Sequence, residues 1–169
     1  MIRFRRYMNI VWNGLSSFTI TAKPADREVT VVTDPFGNDV GLRFPRTLEA
    51  AMVVSSHDAE AANNLEALEG EDRKAPFAVT HAGEFEVQGV FVKGVSAPKK
   101  DGSAHTIYRI DAEDISVGFL GAIDRELTEK EVESLGNIDV LIVPVGGGSV
   151  LNKDQAAELV SQIEPRLVI

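Results

Sequence analysis

Short apolar or alternating runs, each bounded by turn residues, recur from one end of this chain to the other, and that rhythm constrains the fold most. The runs at residues 9–12, 17–22 and 29–33 are separated by Gly14 and by Lys23-Pro24-Ala25-Asp26, which carry turn chemistry. Residues 51–55 form a compact apolar run, and residues 77–80, 85–87, 90–95, 106–110 and 115–120 again have the composition of strands. Helix signals are fewer. Residues 59–68 have helix-forming composition and stop at Gly70. Thr128, with Glu131 three positions later, has the spacing of a capping box. An apolar run at 138–143 leads to a periodic segment at 152–163 that Pro165 halts, and residues 166–169 start another strand. Strand clusters followed by strand-helix-strand units predict an α/β (α+β) sandwich rather than a doubly wound sheet.

At 169 residues and 44% hydrophobic content, the chain can build one sizeable core. No internal repeat or low-complexity linker divides it, so a single domain over residues 1–169 is expected. A formal net charge of -9 argues against nucleic acid as a partner, because a polyanion would be repelled by the average surface. The absence of cysteine excludes disulfides and thiolate zinc sites. Met1-Ile2-Arg3-Phe4-Arg5-Arg6-Tyr7 is basic, but Asn9, Asn13, Gly14, Ser16 and Ser17 interrupt the next stretch and no cleavage pattern closes it. No apolar run approaches the roughly 20 residues that span a bilayer. The expectation is a cytoplasmic protein without a membrane partner.

A set of landmarks runs in order along the chain: Asn13-Gly14-Leu15-Ser16-Ser17-Phe18, Thr33-Asp34-Pro35-Phe36, Ser56-His57-Asp58 with Asn63-Asn64, and Gly83-Glu84-Phe85-Glu86-Val87. Thr106-Ile107-Tyr108, Phe119-Leu120-Gly121 and Val143-Pro144-Val145-Gly146-Gly147 continue it. Together they resemble the metallo-β-lactamase fold superfamily, in particular its zinc-dependent hydrolases related to the ascorbate phosphate lactonase. The resemblance implies an αβ/βα four-layer sandwich with two mixed β-sheets. It also implies a dinuclear metal centre, held by a loop of pattern H-x-H-x-D-H and by an Asp after a Leu-Gly step, that activates a bridging water. His57 matches the first of those ligands, whereas the second His, the Asp and the last His fall on Ala59, Ala61 and Ala62. Ala122 follows Leu120-Gly121 where the bridging Asp is expected. A further His expected between Val95 and Ala104 meets only Ser96-Ala97-Pro98-Lys99-Lys100-Asp101-Gly102-Ser103. The family's closing Pro-x-His segment would fall just past Ile169, which leaves the C-terminal end open to truncation.

Each candidate side chain also has an ordinary reading. His57 is a residual metal ligand or, as a lone loop histidine, a solvated or hydrogen-bonded side chain. Asp58 and Glu60 beside it could recruit a hard cation or form a solvated acidic loop. Asp34 would orient the metal loop through hydrogen bonds, or simply start a turn before Pro35. His81 and His105 are the other histidines, and a new His-rich site would have to gather all three from distant segments. Gly146-Gly147-Gly148-Ser149 could cradle an anion, although it lacks the P-loop lysine and reads better as a tight strand-to-helix turn. Ser16, Ser17, Ser55 and Ser56 lie in no nucleophile elbow. Four alanines at ligand positions point to a protein without a metal cofactor, acting as a non-catalytic module for a small molecule or a protein. The alternative is a zinc-dependent hydrolase of a small phosphorylated or lactone substrate, using an atypical site of His57, Asp58, Asp34 and Glu84. A scaffold that works as a homo-oligomer is a third reading.

Overall fold

The computed structural model describes residues 8–24, 27–46, 48–70 and 74–169. The basic opening segment, and Ala25 and Asp26 of the first long turn, lie outside the described residues. The alternating runs build two sheets. The first holds β1 (Met8–Gly14), β2 (Ser17–Ala22), β3 (Val29–Thr33), β4 (Met52–Val54) and β5 (Phe77–Val79) in chain order. The second holds β6 (Gly83–Val87), β7 (Val90–Ser96), β8 (Thr106–Ala112), β9 (Ile115–Phe119), β10 (Val140–Ile142) and β11 (Leu167–Val168), also laid side by side in chain order. Each sheet begins with antiparallel pairs and ends with parallel ones. The parallel pairs are β3 with β4 and β4 with β5 in the first sheet, and β9 with β10 and β10 with β11 in the second. Both sheets are therefore mixed, as the family resemblance implies.

Period-two alternation decides what each strand buries. Val31, Met52 and Val54 of the first sheet pack with Tyr108, Ile110, Val117, Phe119 and Ile142 of the second in the central core. Their neighbours Val32 and Val53 turn to the opposite face and pack with Phe36, Phe44 and Leu68. On the second sheet Ile107 and Leu141 turn outward to Leu135 and Leu159 of the helical layer and to Leu151 just before its second helix. Burying each such large apolar side chain contributes roughly 1.5–3 kcal/mol.

That helical layer comprises α1 (Glu129–Leu135) and α2 (Lys153–Ile163). The capping box at the start of α1 forms: the Glu131 amide donates to Thr128 Oγ1 over 3.3 Å, and the Thr128 amide donates to the Glu131 carboxylate over 2.7 Å. Arg125 holds the same carboxylate with both terminal guanidinium nitrogens, at 3.0 and 2.7 Å. Asn152 caps α2 in the same way, accepting from the amides of Asp154 and Gln155.

The outer face of the first sheet is covered differently. The helix expected over residues 59–68 does not form. The amides of Ala62 and Asn63 both donate to the Ala59 carbonyl in a single turn, and only Leu65–Ala67 winds a short 3-10 turn. The segment is instead bonded to the loop after β3. The Gly37 amide donates to the Glu60 carbonyl, the Asn64 amide to Pro35 (both 2.8 Å), and Asn64 Nδ2 to Phe36 (3.0 Å). These long-range bonds outweigh the helix propensity of a stretch interrupted at its centre by two asparagines. No helix among the described residues is long and apolar enough to cross a membrane.

Removing one half of a capping box exposes unpaired amides, so Thr128→Ala is expected to lower the unfolding free energy by about 1 kcal/mol. Urea denaturation checks this, and an unchanged midpoint would show that Arg125 and Glu131 hold the helix start without Thr128.

Candidate functional site

The chain leaves the first sheet at the carboxyl ends of parallel strands β3 and β4, the place where mixed and parallel sheets leave loops free to build sites. Asp34 follows β3 and Ser55-Ser56-His57 follows β4. Because β8 and β9 are antiparallel, the start of β8 at His105-Thr106 lies beside the end of β9 at Leu120-Gly121. The two sheets meet here through hydrogen bonds. The Thr106 amide donates to the Ser56 carbonyl over 2.8 Å, and the buried Tyr108 hydroxyl lies 2.7 Å from the Ser55 carbonyl and 3.2 Å from that of Val79.

Asp34 is fully buried and sits at φ 36°, in the left-handed region. Its Oδ1 accepts from the Ser56 amide at 2.7 Å, and its Oδ2 accepts from Ser56 Oγ at 2.7 Å and Ser16 Oγ at 2.8 Å. Burial pushes its pKa up to about 7, and the hydrogen bonds from Ser56 and Ser16 offset only part of that. Ser56 Oγ is also 2.9 Å from His57 Nδ1, so Asp34, Ser56 and His57 form one chain. While Ser56 donates to an ionised Asp34, His57 Nδ1 must be the donor to Ser56 and Nε2 is left bare. Protonating Asp34 lets the chain run the other way and places the proton on His57 Nε2. The carboxyl thereby sets the tautomer that His57 presents.

His105 stands against this chain. Its ring centroid is 5.7 Å from that of His57, with 32° between the planes, and the residue is 2% exposed. Neither of its ring nitrogens has a hydrogen-bond partner among the described residues. Burial lowers the His105 pKa to about 3, with His57 and Lys99 adding to the effect and Asp124 and the nearby Ala97 carbonyl opposing it. Burial likewise lowers His57 to about 4, helped by Lys99 and opposed by Asp58. Gly121, at φ 57°, completes the packing: a Cβ there would overlap Ser56 and lie 3.2 Å from His105 Nε2.

The structure thus brings Asp34, His57 and His105 together through Ser56, and leaves other candidates elsewhere. Asp58 is exposed and accepts from Asn63 Nδ2 at 2.7 Å. Exposed Glu60 is raised in pKa by a hydrogen bond to Asp39 and by that carboxylate's charge. Ala59 and Ala61 are half-buried, Ala62 is fully buried, and Ala122 is half-buried beside Gly121. Glu84 lines a separate cavity of about 310 Å³ with Lys93, Arg109 and Asp111, and His81 packs edge-on against Phe85. The Gly146–148 segment closes as a turn, the Gly147 amide donating to the Leu151 carbonyl at 2.9 Å. Among the described residues, no group of three or more His, Cys, Asp or Glu is placed to hold a metal ion. Sequence reasoning missed His105 as a member of this cluster. The available signal was its place directly before β8, whose antiparallel pairing brings it to the end of β9.

Residues 9–169 match the family description of a β-lactamase superfamily domain. The chain belongs to that superfamily. Its fold superposes with a TM-score of 0.78 on a candidate Zn-dependent hydrolase of the metallo-β-lactamase superfamily from Thermotoga maritima, at 30% identity over 96% of this chain and 74% of that one. A candidate metal-dependent hydrolase from Parabacteroides distasonis aligns at TM-score 0.76 and 14% identity, over 96% of this chain and 81% of that one. A metallo hydrolase from Ignicoccus hospitalis aligns at TM-score 0.68 and 16% identity, over 95% and 80%. None of the curated proteins matches the chain. The two mixed sheets and helical layer of this superfamily member are those its ordered landmarks imply.

The Asp34 carboxyl is held at about 7, above its ordinary 3.8, so between those values the folded protein keeps a proton that the unfolded chain releases. Stability from this group therefore falls as pH rises through that window. Asp34→Asn abolishes the linkage, so its destabilising effect is expected to be larger at about pH 5 than at about pH 8. His57 and His105 are present in both proteins, and comparing urea midpoints of the pair isolates Asp34. An equal penalty at both pH values would show a carboxylate ionised throughout.

Proposed function

We propose that this β-lactamase superfamily protein has lost the family's dinuclear metal centre and acts as a non-catalytic binding or interaction module. The carrying observation is the state of the ligand positions. Alanine stands at residues 59, 61, 62 and 122, and Ala62 is packed without exposure. The donors that remain near them do not fit a two-metal centre. Both oxygens of Asp34 are committed to Ser16 and Ser56, and His57 Nδ1 is engaged with Ser56. Zinc requires about four donors at bond distance, and methyl groups supply none. The same facts weigh against the alternative, a hydrolase of a small phosphorylated or lactone substrate built on His57, Asp58, Asp34 and Glu84, since Asp58 is exposed and accepts from Asn63 and Glu84 lines a separate cavity.

Under this reading the protein works in the cytoplasm on a small-molecule or protein partner. The β1–β2 hairpin offers apolar surface for the second kind: Trp12 is 67% exposed, Val11 and Leu15 flank it, and exposed Leu42 lies beside Gly14.

Protein purified without chelator is expected to carry well below one zinc, iron or manganese per chain, measured by elemental analysis. Stoichiometric metal that survives dialysis would overturn the proposal and favour the hydrolase. The melting temperature is also expected to be unchanged by EDTA, because the sandwich core forms without a metal. A fall of several degrees would reveal a structural ion.

A further inference from the structure

We infer that β1 pairs edge to edge with β1 of a second copy of this chain, antiparallel and centred on Val11, so that the first sheet runs continuously through a two-fold dimer. The inference rests on the reading of the β1–β2 hairpin as an interaction surface and names the partner that surface meets.

The first support is the edge itself. Among the described residues β1 pairs with β2 alone, which leaves the other side of a seven-residue strand open. An open edge presents a row of amides and carbonyls to any other extended chain, and proteins guard such edges with charge, proline or brevity. The other three sheet edges among the described residues are guarded in these ways. β5 has three residues, β11 has two, and β6 carries Glu84 and Glu86. β1 has no such guard: no Asp, Glu, Lys, Arg or Pro occurs from residue 8 to residue 22.

The second support is the direction of the exposed side chains. Trp12 pairs with Phe18 and Ile10 with Ile20, so Trp12 is on the face that Met8 and Ile10 turn to the central core. Val11 pairs with Thr19 and is on the opposite face. Both Val11 and Trp12 are nevertheless exposed. A partner laid on one face of the sheet would reach one of them, whereas a strand added at the edge flanks both.

The strand's own pattern selects a second copy as that partner. Asn9-Ile10-Val11-Trp12-Asn13 has the same order of polar and apolar residues in either direction. Antiparallel pairing about Val11 therefore sets Val11 against Val11, Ile10 against Trp12 and Asn9 against Asn13, like with like on each face. Charge favours the same surface. Two copies of formal net charge -9 repel over most of their area and approach most readily where neither carries a charged side chain.

Native mass spectrometry and sedimentation velocity of the intact chain test this. The wild type is expected to form a dimer that dissociates on dilution. Val11→Lys and Val11→Glu each set two like charges against one another across the axis, and each is expected to raise the dimer Kd at least about tenfold. The melting temperature is expected to stay unchanged in both, because the side chain is exposed. Mixing the two variants is expected to restore dimers with one copy of each, which requires residue 11 to face residue 11. Phe91→Lys, at another exposed apolar position on β7, is expected to leave the dimer intact. Should a charged variant not fold, hydrogen exchange of the wild type gives the same test, with amides at residues 9–13 exchanging more slowly in concentrated than in dilute protein. A monomeric wild type, dimers undisturbed by both Val11 variants, or a mixture of the two that stays monomeric would overturn the inference. Zinc content of the same samples bears on the metal centre alone, so a metal-free monomer and a zinc-loaded dimer tell the two failures apart.

Discussion

The end of the sandwich that carries the site is organised by one buried carboxylate. Asp34 accepts three hydrogen bonds, and their donors come from the β1–β2 turn and from the loop after β4, while Asp34 itself directly follows β3. Three segments of the first sheet are thus tied at their ends to one side chain. An apolar residue of similar size would leave the two serine hydroxyls and the Ser56 amide without partners, each at a desolvation cost of about 1–3 kcal/mol. The left-handed backbone at Asp34 is tolerable for the same reason, since the surrounding bonds over-determine it.

Burial also governs the electrostatics around that carboxyl. It is the leading cause of the upward shift of Asp34 and of the downward shifts of His57 and His105. All three groups are driven toward their uncharged forms, with Lys99 acting on all three, Asp58 opposing it at His57 and Asp124 opposing it at His105. A dinuclear metal site works by concentrating positive charge among anionic and imidazole ligands. In the proposed reading alanines stand at four of the ligand positions, and the polar groups that remain are driven toward their uncharged forms. The inherited loop keeps its path because Gly37, Glu60, Pro35 and Asn64 still bond to one another across it.

What could be read in the sequence was largely local. Thr128 and Glu131 find each other within one turn, so their spacing suffices to place the start of α1. Strand alternation at Val31-Val32 and Met52-Val53-Val54 identifies which side chains share a face, and the ordered landmarks supply the two mixed sheets. The segment at residues 59–68 misleads because its alanines and leucines favour a helix while its hydrogen bonds go to residues 35–37, more than twenty positions away in sequence. Likewise His105 has no local motif. Its position depends on the pairing of β8 with β9 and on the Thr106–Ser56 bond between sheets, neither of which leaves a trace in the residues around it. Lys99 is noticeable in sequence chiefly as the lack of an expected histidine, and its meaning comes from where the turn sets it.

The Thr106–Ser56 hydrogen bond makes the floor of the site part of the contact between sheets. Its amide cannot exchange with solvent deuterium without parting two sheets whose shared core includes Tyr108, Phe119 and Met52. Such an opening approaches the free energy of global unfolding. By contrast, the 98–103 turn is mostly exposed, and the bonds that anchor it, the Lys100 amide on Asp124 and Arg125 Nε on the Pro98 carbonyl, tie it to the segment after β9 without crossing between the sheets. Exchange at the amides of this turn therefore reports on its local anchorage, whereas exchange at Thr106 reports on the contact between the sheets.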